Sequence, residues 1–307
     1  MSSRKFPATM AVAAVTALGV FAVTGQAQAS TGISQKHVAV GARAAGVTLH
    51  GKSPAVAAAP DAAAANPAGY TVVNSGALTS GANVQTHGSV ACPSGKVPLG
   101  GGVFYSSGSV LANINSSYPT ATGWAADVNN GSTSASSFTV YAVCAKKPKK
   151  YALITGTSAV VNAGTQVSNI TATCPAGRAM SGGLFSNTSS VLANVNSSLP
   201  TKTGWRIDAN NASASAETVT AYLLCGNLAK YHFVTGTATT NNAGVQTGST
   251  TLCGHGVSVG GGAFSSSGST LVSINTTYPN STGSWETFMN NDSTAAQTFE
   301  TYAVCSG

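Results

Sequence analysis

Residues 110–119 read VLANINSSYP, and the pattern returns as VLANVNSSLP at 191–200 and TLVSINTTYP at 270–279. Outward from each copy, the same features stand in the same order. Upstream lie an aromatic-led apolar run beginning at Tyr70, Tyr151 or Tyr231, a cysteine (Cys92, Cys174, Cys253), and a glycine cluster ending at Gly102, Gly183 or Gly262. Downstream come Trp124, Trp205 and Trp285, then the pairs Asn129-Asn130, Asn210-Asn211 and Asn290-Asn291. Each copy closes on a strand-like run into a second cysteine: FTVYAVC to Cys144, VTAYLLC to Cys225, FETYAVC to Cys305. Such an ordered series at a fixed period marks three copies of one supersecondary unit, over residues 70–145, 151–226 and 231–307.

The pattern inside a copy is β. Short Val/Thr/Ile/Tyr segments alternate with Gly, Ser, Asn and Thr clusters, and no helical period is sustained. Trp124, Ala126 and Val128 share one face of their strand, which predicts that the tryptophans are core residues. The last strand is apolar on both faces and reads as central. The expected fold is all-β: three tandem antiparallel modules of sandwich or jelly-roll type. The linkers, Ala-Lys-Lys-Pro-Lys-Lys after Cys144 and Gly-Asn-Leu-Ala-Lys after Cys225, are short. The modules therefore touch, in a row or around a pseudo-threefold axis.

Modules of this size bury a modest core and call for staples. Repeat symmetry favours Cys92–Cys144, Cys174–Cys225 and Cys253–Cys305, each closing a loop of about 50 residues, worth roughly 4 kcal/mol in the chain-entropy picture. A swapped scheme joining Cys144 to Cys174 and Cys225 to Cys253 also keeps the symmetry. No Cys-x-x-Cys or matching histidine accompanies the pairs, so neither a metal nor another cofactor is expected.

Residues 1–29 read as a secretory signal peptide: Arg4 and Lys5, an apolar stretch from Ala8 to Val23, and Ala27-Gln28-Ala29 before Ser30. Residues 30–69 are an Ala- and Pro-rich arm of low complexity. No stable membrane insertion is expected once the signal is removed.

The motifs Cys92-Pro93, Gly100-Gly101-Gly102, Ser117-Tyr118-Pro119, Gly123-Trp124 and Tyr141-Ala142-Val143-Cys144 resemble a Cys-pair β-module. That module recurs in secreted, mostly uncharacterised proteins of actinobacteria. The later copies depart from it at Ser181, Leu199 and Gly254. The resemblance implies export and a β fold, and no defined activity.

Charged residues make up 7% of the 307 residues, far from an acid- and base-rich surface. The five histidines, His37, His50, His87, His232 and His255, recur at no common module position. The serines lack a Gly-x-Ser-x-Gly elbow, and the glycine clusters lack phosphate-loop spacing. The chain is therefore expected not to be an enzyme. Lys146, Lys147, Lys149 and Lys150 read as a solvated linker, and nucleic acid is not an expected partner. The leading expectation is a secreted extracellular or surface protein whose repeats mediate binding or assembly. The alternative is multivalent recognition of a polysaccharide or other cell-surface component. Its candidate groups are Tyr118 and Tyr278, placed before prolines in expected turns, and Asn130, Asn211 and Asn291.

Overall fold

The computed structural model describes residues 66–307; the expected signal peptide and nearly all of the expected arm lie outside the described residues. Every regular element from there on is a β-strand. The first repeat supplies β1 (Thr71–Asn74), β2 (Leu78–Ser80), β3 (Val84–Ala91), β4 (Val97–Tyr105), β5 (Ala112–Pro119), β6 (Gly123–Asn130) and β7 (Ser136–Ala145). The second supplies β8 (Lys149–Val161), β9 (Thr165–Thr173), β10 (Arg178–Ser186), β11 (Ala193–Pro200), β12 (Gly204–Asn211) and β13 (Glu217–Asn227). The third supplies β14 (His232–Thr235), β15 (Thr239–Asn241), β16 (Val245–Leu252), β17 (Val257–Ser265), β18 (Val272–Ser281), β19 (Ser284–Asn291) and β20 (Gln297–Ser306).

Each repeat folds as two half-sheets. In the first, β1 and β2 pair with β7 and β7 with β4, while β3, β6 and β5 form the other half. Each half then continues into a neighbour: β5 pairs with β10, β11 with β17, and β18 with β4. The third repeat thus returns to the first, and the ring closes around a pseudo-threefold axis. Three antiparallel sheets of six or seven strands result, each half from one repeat and half from the next.

The glycine cluster makes this closure possible. At Gly102, Gly183 and Gly262 a Cβ would fall 2.0, 1.8 and 1.8 Å from the carbonyl oxygens of Thr277, Ser117 and Ser198 across the seam. One residue earlier, Gly101, Gly182 and Gly261 lie against the indoles, where a Cβ would stand 2.4, 2.5 and 2.4 Å from the ring Cγ. Trp124, Trp205 and Trp285 are fully buried. Their Nε1 groups donate to Ser117 Oγ, Ser198 Oγ and Thr277 Oγ1 at 2.9, 2.9 and 2.8 Å. With the N–H satisfied, each indole contributes its whole apolar surface, and truncating such a side chain costs about 3–5 kcal/mol.

The cysteines pair within repeats, as Cys92–Cys144, Cys174–Cys225 and Cys253–Cys305, each with Cα atoms 5.7 Å apart. The swapped scheme is therefore excluded. Each bond joins the end of one half-sheet to the last strand of the other, holding the corner of the sandwich shut.

At the opposite end of the sheets, buried asparagines lock each repeat to the next. Asn115 and Asn129 donate to the Ala193 carbonyl at 3.0 and 2.7 Å, and Asn196 and Asn210 to that of Val272 at 2.9 and 2.8 Å. Asn275 and Asn290 return to the Ala112 carbonyl, both at 2.7 Å. Six charge-free donors thus satisfy three carbonyls in a closed cycle, and a buried amide left without its partner costs about 1–3 kcal/mol.

Candidate functional site

The locked end carries a turn repeated three times. In Ser109-Val110-Leu111 the serine Oγ accepts from Leu111 N at 3.2 Å and the serine carbonyl from Ala112 N at 3.0 Å. Ser190-Val191-Leu192 and Ser269-Thr270-Leu271 are held in the same way. Each leucine carbonyl also receives a backbone N–H, from Gly131, Ala212 or Asp292. The turns are tied in addition to the preceding repeat. Gln85 donates to the Thr188 carbonyl, Gln166 to that of Ser267, and Gln246 to that of Ser107.

These turns hold three leucines in the open. Leu111, Leu192 and Leu271 are 45%, 52% and 46% exposed, although they are apolar and equivalent. They rim a basin of about 330 Å³ on the pseudo-threefold axis. Val110 and Val191 add apolar wall, and Asn113, Asn194 and Ser273 contribute polar groups beneath. Asn129 and Asn210 occupy Asn113 Oδ1 and Asn194 Oδ1 at 2.9 Å, so those side chains offer their NH₂ groups to a ligand. Asp292 breaks the symmetry, standing where the other repeats have Gly131 and Ala212. Partial burial raises its carboxyl above the ordinary carboxylate value. The basin can thus hold a ligand with an apolar body and hydrogen-bonding groups.

The residues singled out in the sequence fall elsewhere. Asn130, Asn211 and Asn291 are fully buried, which corrects their assignment to a glycan surface. Their Nδ2 atoms donate to the carbonyls of Ser134, Ser215 and Ala295, and their Oδ1 atoms accept from Ser132, Ser213 and Ser293. They fold their own turns and have no polar atom left for a sugar. Tyr278 is corrected as well: it lies inside β18 and is 1% exposed. It packs on Phe104 and Tyr141, with ring centroids 5.4 and 5.2 Å away, and donates to Glu286 Oε2 at 2.8 Å. Burial, reinforced by that carboxylate, holds its phenol far above the ordinary value.

Tyr118 keeps its place among the candidates. Half-buried, it stands with Phe185 and Tyr222 on the outer face of the β5–β10 seam, centroids 5.4 and 5.6 Å away. Asp127 is close enough to help raise its phenol pKa, though burial is the larger cause, and His87 Nδ1 lies 2.8 Å from Asp127 Oδ1. The equivalent face of the β11–β17 seam has Leu199, Phe264 and Tyr302, with the Arg206 guanidinium 5.2 Å from the Phe264 ring. Only one of the three seams therefore presents this aromatic cluster half-exposed.

The leucine rim went unrecognised in the sequence, although its signal was present: a leucine at one fixed place in all three quoted stretches, preceded by a serine two positions earlier. Among the described residues, no group of three or more His, Cys, Asp or Glu side chains is placed to hold a metal ion. No helix there is long and apolar enough to cross a membrane. No protein-family model matches the chain, and a search of curated proteins returned no match. The likeness to actinobacterial Cys-pair modules rests on the quoted motifs alone.

Proposed function

We propose that this is a secreted, non-enzymatic binding protein whose three repeats combine to build one ligand seat, the axial basin. The observation that carries the reading is the rim. Folding normally hides leucine, yet three equivalent leucines are held half-exposed on hydrogen-bonded turns around a single concavity. Apolar side chains converging on one concavity with a few polar groups are the makings of a ligand seat, and the basin's volume falls at the small end of ligand pockets. The rigidity of the turns supports binding further, because little ordering is left to be done when the ligand arrives. Three disulfides fit an oxidising, extracellular setting.

A second reading, carbohydrate recognition, is favoured by the cluster of Tyr118, Phe185 and Tyr222 beside Asp127 and His87. Aromatic faces with adjacent polar groups suit sugar rings. With one such cluster per molecule, avidity from three sugar sites is not the basis of this reading.

A glycan array and a pull-down on insoluble cell-wall and plant polysaccharides test both. Ligand retention that fails in Leu111→Asn/Leu192→Asn/Leu271→Asn and survives in Tyr118→Ala/Tyr222→Ala supports the basin. The reverse pattern supports carbohydrate recognition at the aromatic cluster. Retention on uncharged glycans that is indifferent to both sets overturns both assignments.

A further inference from the structure

The cationic side chains of the described chain gather at the end of the sheets opposite the leucine basin. The antiparallel registers bring there Lys146 and Lys147 of the first linker, Lys149 and Lys150 at the start of β8, Lys230 of the second linker, Lys96 before β4, Arg178 at the head of β10, and Lys202 between β11 and β12. Of the nine Lys and Arg in residues 66–307, only Arg206 lies elsewhere, within β12 and bonded to Asp208. The turns and linkers at this end carry no Asp or Glu side chain. Among the described residues none of the eight cations is in a salt bridge.

Two features make this more than a solvated linker. Lys96 and Lys146 converge from different segments, their side chains both within 3.6 Å of where a Gly69 Cβ would stand. Arg178 and Lys202, also from different segments, line a pocket of about 170 Å³ beside Cys174. Lys147 and Arg178 lie over the rings of Tyr151 and Tyr231, at 5.7 and 5.9 Å, so those ring faces are not open to stacking bases.

We propose that this end binds an acidic polysaccharide, with the Arg178–Lys202 pocket receiving one carboxylate and the linker lysines following the polymer across the face. The partner is a polyanion because unpaired cations of one sign attract and hold a regular array of charges. It is a glycan because the disulfides belong to an oxidising compartment, and the tyrosine rings among the cations, Tyr151 and Tyr231, are already engaged by Lys147 and Arg178. The inference stands apart from the basin, at the other end of the molecule.

Affinity of the full chain for polygalacturonate tests it, with neutral dextran and a short DNA duplex as comparators. Polygalacturonate should bind and dextran should not. Affinity should fall about tenfold or more between about 50 and 200 mM salt as counterions are released. Arg178→Gln/Lys202→Gln should weaken binding about fivefold or more, and Lys146→Gln/Lys147→Gln/Lys149→Gln/Lys150→Gln should lower the salt slope. All these side chains but Lys96 are exposed, so the variants should keep the parent melting curve, which circular dichroism checks. The leucine-rim variant should bind polygalacturonate as the parent does. Equal binding to dextran, salt-independent binding, or unchanged affinity in both charge variants would overturn the proposal. Tighter binding to DNA than to polygalacturonate would overturn the choice of partner.

Discussion

The buried seams between repeats and the outer faces over them occupy the same strands, yet they differ in how faithfully the three copies repeat. Inside, the glycine against the indole, the hydroxyl on the indole N–H and the asparagines on the next repeat's carbonyl recur three times, with distances agreeing within 0.3 Å. Outside, the same seam positions carry a buried Phe104–Tyr141–Tyr278 cluster, a half-exposed Tyr118–Phe185–Tyr222 cluster, and Leu199 with Phe264 under Arg206. The difference follows from packing. An inner side chain must fit two repeats at once at crystal-like density, whereas an outer one meets fewer neighbours. Function has more freedom on the outer faces and ends, where the copies diverge.

The most damaging change is expected at the seam itself. Gly183→Val places side-chain atoms where the Ser117 carbonyl stands 1.8 Å from the Cβ position, and neither backbone can retreat without opening two sheets. Loss of the soluble monomer, followed by size-exclusion chromatography, is the expected result. Next come the asparagine locks. Asn129→Ala and Asn210→Ala should each cost about 2 kcal/mol in denaturant unfolding, and should agree within about 0.5 kcal/mol if the interior is as symmetric as its geometry. Tyr118→Ala and Leu199→Ala, on the outer faces, should differ from each other.

A smaller effect concerns Glu217, which occupies the place of Ser136 and Gln297 in the other repeats. Burial raises its carboxyl above the ordinary 4.5, with the Ser186 hydroxyl bond lowering it in part. A raised acid favours the protonated fold. Its contribution is therefore complete below pH 4.5 and declines as pH rises through the higher folded value. Glu217→Gln, which copies the third repeat, should flatten that decline in melting scans across pH and leave the acid limb unchanged.

Much of the architecture was legible. Alternation around Trp124 announced burial, and triplicate cysteines at equal spacing favoured the pairing that formed. The pairing of β5 with β10 was not legible, because a strand's residue pattern shows which face is apolar and not which edge finds which partner. The glycine cluster is plain in the sequence, but the neighbour it admits is not: Gly102 meets the Thr277 carbonyl and Gly101 the Trp124 indole only in the folded ring. The two members of the pair Asn129-Asn130 do different work. Asn130 makes a turn, while Asn129 reaches a carbonyl 64 residues away that no local pattern reveals. The basic end was equally hidden: the lysine run was plain, but its convergence with Lys96, Arg178 and Lys202 is a product of topology.

The smallest expected change sharpens the same contrast at the axis. Ser181 stands where the other copies have Gly100 and Gly260, and its buried Oγ has no hydrogen-bond partner. A Cβ at Gly100 would meet the Val259 carbonyl at 2.1 Å, so only one of the three copies tolerates a side chain. Ser181→Ala removes the unsatisfied hydroxyl and keeps the Cβ. It should raise stability by about 1 kcal/mol, a shift of about 2–4 °C for a body of this size.

The central claim, that the three repeats form one interlocked body, is tested most directly by residues 151–226 produced alone with the Cys174–Cys225 bond formed. Deprived of its neighbours, this repeat leaves the β10 and β11 edges and the indole layer uncovered, and repeat units of this kind draw much of their stability from such interfaces. Sedimentation and thermal melting should find it aggregated or associated as three copies that rebuild the ring. A monomer that melts sharply at the midpoint of the full chain would contradict the claim.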